Sequence, residues 1–454
     1  MNLKWLSFLA VAFGVQGAAP PQAPTEAPPA HEPAARAPSV PDALAGQRVY
    51  TSTAVIDDLL LDGETLYAAG PGGLAQIRVA TRERRVFTQA DGLAETHVKR
   101  VVRDARGIVA LTETHACILA SPIVCSPTPH PPSPSGGGSG RGSGPPSVDG
   151  WRITSRADTP TGSFIGSAGG GIYWQGNGAP PTRLAWDDEL ADPFVHDLVA
   201  FRGELWIAGF SNGTSILSHG HIRAAITPFR YPNRMLAASG TLFVAANEGL
   251  FFTRDGVRFE RVDAIEQRGV NGLAYDGERL LVTVPAAFYQ LRLDRRGPTI
   301  VRSVYRPAGT RALQAVTVSG KRVYLASEDR GIIAVDGQTF TAWDRLSGLP
   351  TSWMLDVASD GSGGVFGATL RHGVVHLDAQ GHVSAPPSPA TWTLRVEDTT
   401  HGLWVGTQRG MTQTAATQGL HLPDERVHAR LEYDGKTYFG TEAGLLEMAG
   451  AGGG

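Results

Sequence analysis

Leu205-Trp206-Ile207-Ala208-Gly209 is one copy of a phrase that returns along the whole chain. Other copies are Leu66-Tyr67-Ala68-Ala69-Gly70, Leu242-Phe243-Val244-Ala245-Ala246 and Leu403-Trp404-Val405-Gly406-Thr407. Each is a short apolar strand that ends on small residues. A Gly turn precedes most copies, as in Asp62-Gly63, Arg202-Gly203, Ser239-Gly240, Asp276-Gly277 and Asp434-Gly435. Gly reaches positive φ without steric cost, which a tight hairpin requires. An apolar strand precedes each turn, with starts near Val55, Val98, Phe164, His196, Met235, Val270, Leu313, Met354, Leu394 and His428. A recurrence every ~35–45 residues with several short strands per unit is the signature of a β-propeller.

The reading is therefore all-β: a β-propeller of about ten four-stranded blades, with 8–10 as the range. The last repeat lacks room for an outer strand, and Arg48-Val49-Tyr50-Thr51 is a strand with no inner strands before it. The N-terminal strand is expected to pair with the last blade and close one ring, which removes exposed edges. Two five-bladed rings are the alternative. The small residues after each second strand are expected where backbones crowd towards an axis.

Composition agrees. The chain has 454 residues with 56 Gly and 31 Pro, which suits many turns and argues against a helical protein. Formal net charge is −3, from 40 basic and 43 acidic residues. That balance offers no long-range field for nucleic acid or an anionic membrane. Residues 1–19 read as a signal peptide: Lys4, then the apolar run from Leu6 to Val15, then small Gly17, Ala18 and Ala19. The run is too short to span a bilayer, which needs roughly 20 residues. Residues 20–46 read as a disordered Pro/Ala-rich tether, and 47–450 as the propeller, with a low-complexity insertion at 126–147. The mature protein is expected to be periplasmic or secreted, with no membrane insertion. Cys117 and Cys125 flank a hairpin, and in such a compartment a disulfide is expected; reduced buried thiols are the rival reading.

No catalytic signature is present, and no cofactor or metal is expected. Asp187-Asp188-Glu189 is able to hold a cation but reads as a solvated loop. His219, His221, His372 and His376 read as turn and surface histidines. Thr253-Arg254-Asp255-Gly256-Val257-Arg258-Phe259 reads as a hairpin turn. An arginine series is the feature singled out for binding. In repeats seven, eight and nine the turn after the second strand carries Arg330, Arg371 with His372, and Arg409. Propeller topology puts such turns on one face, and guanidinium groups pair with carboxylates or phosphates. Phe210 and Trp353 fall in segments that reach the same face, where aromatics anchor a protein or stack on sugar.

Two connecting segments share a further phrase: Phe87-Thr88-Gln89-Ala90-Asp91-Gly92-Leu93 and Trp343-Asp344-Arg345-Leu346-Ser347-Gly348-Leu349-Pro350. With Leu403–Gly410 they resemble the two-component regulator propeller repeat, over most of residues 48–447. That resemblance implies a propeller of the kind found in bacterial sensor ectodomains and in free-standing exported proteins. No kinase, DNA-binding domain or membrane span follows, so signalling within this polypeptide is not implied. The expected role is a non-catalytic binding platform whose loop face takes a protein or an acidic cell-envelope polymer. A secreted hydrolase or lyase acting on polysaccharide is one alternative. A ligand-binding partner of a separate membrane sensor is another.

Overall fold

A computed structural model describes residues 47–128, 146–265, 269–294, 297–305, 312–337, 339–386, 392–399, 402–408, 410–413, 420–421 and 426–449. The expected signal peptide and tether lie outside these residues. Strands dominate, and two single-turn 3₁₀ helices, Gln89–Asp91 and Arg345–Ser347, are the helical elements among the described residues. No described helix is long and apolar enough to cross a membrane.

The hairpins form where the sequence supplies positive φ. Arg202 and Gly203 sit at φ 54° and 76°, Ser239 and Gly240 at 49° and 71°, and Asp434 and Gly435 at 50° and 70°. Two successive positive values define the turn whose twist matches paired strands. Each turn joins an inner strand to the copy of the apolar phrase, and two further strands complete an antiparallel sheet. Among the described residues ten sheets result, nine of four strands and one of five. They are blade 1 (residues 58–87), blade 2 (100–127), blade 3 (147–184), blade 4 (195–224), blade 5 (232–261), blade 6 (272–305), blade 7 (313–343), blade 8 (354–384), blade 9 (393–421) and blade 10 (427–449). Arg48–Tyr50 is the outer strand of blade 10, with Arg48 opposite Glu447 and Tyr50 opposite Leu445.

Blade 3 departs from the expected boundaries. Its inner strand is Trp151–Thr159, and Phe164 lies in the second strand, Gly162–Ser167. The polar run Arg152-Ile153-Thr154-Ser155-Arg156 hides the apolar signal of that inner strand. The insertion is also shorter at its edges, because Val124–Pro127 and Ser147–Val148 are strands.

The many four-stranded antiparallel sheets and the pairing of the N-terminal strand agree with the expectation, but the order of packing differs from one ring of ten or two of five. The inner strand Val195–Phe201 of blade 4 packs along Val427–Tyr433 of blade 10. Val195, Leu198, Leu205 and Ile207 share one buried cluster with Ala429, Tyr438, Leu445 and Tyr50. Apolar clusters then join 4 to 5, 5 to 6, 6 to 7, 7 to 8, 8 to 9 and 9 to 10. Seven sheets thus close a cycle. Blades 1–3 form a separate run in the order 3, 1, 2. The Ile56 amide donates to Ser167 O at 2.9 Å, and the Leu59 amide to Ser155 Oγ at 2.9 Å, so blade 3 stands before blade 1. Tyr67 and Phe87 of blade 1 then pack against Val101, Ile108 and Cys117 of blade 2.

Close approach explains the small residues. A Cβ on Gly440 would lie 2.6 Å from Val195 Cγ1 across the closing seam, and one on Gly406 would lie 2.6 Å from Val427 O. The shared connecting phrase has a physical role too. Thr88 and Asp344 cap the two 3₁₀ turns, Gly92 and Gly348 end them at φ 112° and 98°, and Leu93 and Leu349 are buried beyond them.

Cys117 and Cys125 face each other on adjacent strands and are joined by a disulfide, Cα–Cα 4.0 Å. Thiol titration of the unfolded, unreduced protein is expected to find no free cysteine. Cys125→Ser is expected to lower unfolding stability by about 2–3 kcal/mol, the chain-entropy value for so short a loop, measured by denaturant titration. Tyr50→Ala removes a buried ring and its 2.8 Å hydrogen bond to Glu447 from the closing seam. Its expected cost is about 3–5 kcal/mol in the same titration.

Candidate functional site

Each inner strand of the seven-blade cycle begins with the same three positions. In blades 4, 5, 7, 8, 9 and 10 the register shifts at the second of these, a β-bulge. A bulge re-aims one side chain and is favoured beside binding sites. The bulged residues are His196, Asn233, Gln314, Leu355, Leu394 and His428; Asn271 holds the equivalent place in blade 6. Two residues before them stand Phe194, Tyr231, Gly269, Ala312, Trp353, Trp392 and Arg426, so four of seven blades carry an aromatic there. One residue after them stand Asp197, Arg234, Gly272, Ala315, Asp356, Arg395 and Ala429. Aromatic, polar and charged tiers thus succeed one another.

The charged tier is an ion cluster drawn from blades 4, 5, 8 and 9. Arg234 Nη2 lies 2.9 Å from Asp356 Oδ1, and Arg234 Nη1 lies 3.8 Å from Asp197 Oδ1. Arg395 lies 3.7 Å from Asp197 and 3.5 Å from Asp356. Both carboxylates also accept from the next blade: Met235 N to Asp197 Oδ2 at 2.7 Å, and Val396 N to Asp356 Oδ2 at 3.3 Å. Burial pushes both carboxyls upward, and Arg234 opposes it. Buried charges persist only when paired in this way. The contacts between blades 5 and 8 cross the cycle, so the axis is closed at this level.

The polar tier is bonded around the mouth. Asn233 Nδ2 donates to Val270 O and Asn271 Nδ2 to Leu313 O, each at 2.7 Å and each to the following blade. His196 and His428 meet across the closing seam with ring centroids 5.6 Å apart. His428 Nε2 is 3.6 Å and Arg426 Nη1 3.0 Å from Glu442 Oε1. Burial alone would raise the Glu442 carboxyl; His428 and Arg426 outweigh it and hold the group below its usual range. Arg426 also lies over the Trp392 ring at 6.0 Å.

Second strands run antiparallel to the inner ones, so the turns after them lie on this same face. Arg330 and Arg371 occupy equivalent turns of blades 7 and 8. Arg330 is half-buried, and its amide donates to Ser327 Oγ at 3.2 Å. Arg371 and His372 are exposed. Arg409 lies outside the described residues. Phe210 packs beside Phe194 and edge-on to His196, centroids 6.1 and 6.3 Å apart. Trp353 is half-buried, with its Nε1 buried and without a hydrogen-bond acceptor.

Two of the three acids in the 187–189 run are held by the protein itself. Glu189 pairs with Arg84 at 2.8 Å, and Asp188 accepts from Ile222 N at 2.6 Å. His376 binds Asp360 at 2.8 Å. Among the described residues no three His, Cys, Asp or Glu side chains group as metal ligands. Asp255 accepts from Val257 N and Arg258 N, which closes the expected hairpin turn.

Sequence reading missed the ion cluster. Its signal was an acid or Arg recurring at the third inner-strand position, visible once the bulges align the repeats.

No family model matches the chain, and no curated protein matches it. Among solved structures, the extracellular domain described as that of the one component system BT4673 from B. thetaiotaomicron aligns over 88% of this chain and 70% of that chain, at 11% identity and TM-score 0.49. Virginiamycin B lyase from Staphylococcus aureus aligns over 57% of this chain and 94% of that chain, at 12% identity and TM-score 0.47. No family is assigned on these likenesses.

One step further along the inner strands, Glu397 of blade 9 faces Arg430 at 3.5 Å, and Arg430 stacks on Trp404 at 4.5 Å. Burial pushes the Glu397 carboxyl from 4.5 up to about 7; Arg430 opposes this, while Glu432, Asp356 and Asp197 add to it. A carboxyl raised on folding contributes stability that is full below about 4.5 and is lost as the pH rises through 7. Glu397→Gln is expected to remove that loss. Thermal unfolding should show the variant ahead of wild type at pH 8 by about 1–2 kcal/mol, discounted for partial exposure, and level with it near pH 4.5.

Proposed function

We propose that this protein is an exported, non-catalytic binding platform that uses the mouth of the seven-blade cycle. The partner is a protein or cell-envelope polymer that presents carboxylates. One observation carries this reading: an ion cluster closes the axis, and ahead of it four of the seven blades carry an aromatic two residues before the bulge position. At that level Asp197, Arg234, Asp356 and Arg395 satisfy one another. Around the mouth stand Trp353, Trp392, Phe210 and the exposed Arg371 and His372. Aromatic anchors and Arg are the residues that dominate binding energy at interfaces. Paired guanidinium contacts select carboxylates by geometry. The disulfide fits an oxidising compartment outside the cytosol. The arginine series Arg330, Arg371 and Arg409, which the sequence places at equivalent turns, is our candidate for the contact with those carboxylates.

The test uses mature protein immobilised against the envelope and culture fractions of its host. Wild type is expected to retain one component near stoichiometrically, with retention falling as salt rises. Replacing Arg330, Arg371 and Arg409 together with Ala is expected to weaken retention at least about tenfold, as loss of charge-assisted contacts implies. Equal retention by that variant would sink the reading. Shortening of a retained saccharide would replace it with a catalytic one.

A further inference from the structure

The connecting phrase has two good copies, and the space beside it differs between them. Beside the copy in blade 1 is a cavity of about 270 Å³, lined by Tyr67, Gln76, Arg85, Phe87 and Asp91 on one side. Blade 2 supplies Ile108 and the loop 119–123 on the other. Cys117 and Cys125 pin that loop at both ends.

Strand register supplies the comparison with blade 7. Tyr67 pairs with Gln76 and Gln76 with Arg85; Tyr324 pairs with Ala334 and Ala334 with Thr341. Phe87 corresponds to Trp343, and Asp91 to Ser347. In blade 7 the space is taken. Tyr324 donates its hydroxyl to Gly363 O at 2.9 Å, and Trp343 packs so closely on Gly381 that a Cβ there would lie 3.3 Å from the indole. In blade 1 the smaller Phe87 leaves the cavity open. Three polar side chains, Gln76, Arg85 and Asp91, replace Ala, Thr and Ser. The polar set therefore belongs to this cavity and not to the repeat.

The charges specify what fits. The Arg85 guanidinium carbon lies 4.5 Å from the Phe87 ring centroid, and its Nη2 is 3.7 Å from Asp91 Oδ1. The other Asp91 oxygen accepts from Thr88 N and Oγ1 and fixes the carboxylate. A cation and an anion side by side, above an apolar wall of Phe87 and Ile108, complement a small zwitterion with an apolar tail. We propose that this cavity binds a free α-amino acid with an apolar side chain. Arg85 takes the carboxylate, Asp91 the ammonium group, and the side chain lies against Phe87 and Ile108. This site is separate from the mouth of the seven-blade cycle.

The experiment is ligand-observed NMR titration of the full chain with L-leucine and L-phenylalanine. Binding is expected with a Kd on the order of 1 mM or tighter, a scale suited to a half-open site. N-acetyl-L-leucine lacks the ammonium group and L-leucinamide the carboxylate; each should bind at least about tenfold more weakly. Arg85→Gln should abolish the difference between leucine and leucinamide, and the exposed position keeps that variant folded. Phe87→Trp, which copies blade 7, should abolish binding of both amino acids. No binding of either amino acid overturns the proposal. So does binding that both variants leave intact, or binding of D-glucose in their place.

Discussion

The seven-blade cycle depends on how its axis is filled. Seven inner strands converge there, and their third positions face a space too narrow for seven large side chains. Gly272, Ala315 and Ala429 leave room, and Asp197, Arg234, Asp356 and Arg395 use it. The four charges come from blades that are not all neighbours, so the ion pairs tie opposite sides of the cycle together. Buried ion pairs add little net stability against an apolar filling, yet removing one partner strands a charge at a cost of about 3–5 kcal/mol. The cluster therefore ties four inner strands together at one level of the axis, and each member depends on the others for its partner.

That constraint also separates what the sequence showed from what it hid. Hairpin turns, apolar second strands and small strand ends are local, and Asp62-Gly63 or Ser239-Gly240 announces them without help from distant residues. The pairing of Arg48–Tyr50 with the last blade was legible because the last repeat lacked a strand. The choice of neighbours was not legible. The fit of Ala429, Tyr438 and Leu445 against Val195 and Leu198 sends blade 4 to blade 10. The fit of Phe164 and Ile172 against Ile56 and Leu59 sends blade 1 to blade 3. Face-to-face complementarity of this kind has no period along the chain.

The candidate face was legible in part for the same reason. Arg330, Arg371 and His372 stand out as charges at turn positions, and turns align whenever repeats align. His196 and His428 lie far apart in sequence, 232 residues by their numbers, and meet because the closing seam joins blades 4 and 10. The bulges were invisible too. One extra residue per strand shifts Asp197 and Arg395 from an apparent outer face to the axis, and the alternation of apolar residues does not record it.

Repetition explains how two different surfaces arise on one scaffold. Strands, turns and caps are set by residues common to the repeats, such as Leu93 and Leu349 beyond their glycines. The positions between blades are free to vary once the cap holds. At one of them Trp343 fills the gap between blades 7 and 8; at its counterpart Phe87 leaves a cavity beside Arg85 and Asp91. A one-ring difference in side-chain size thus accompanies the change from a packed joint to an open cavity, beside a blade 2 loop that a disulfide pins. Function in such a chain is written in departures from the repeat.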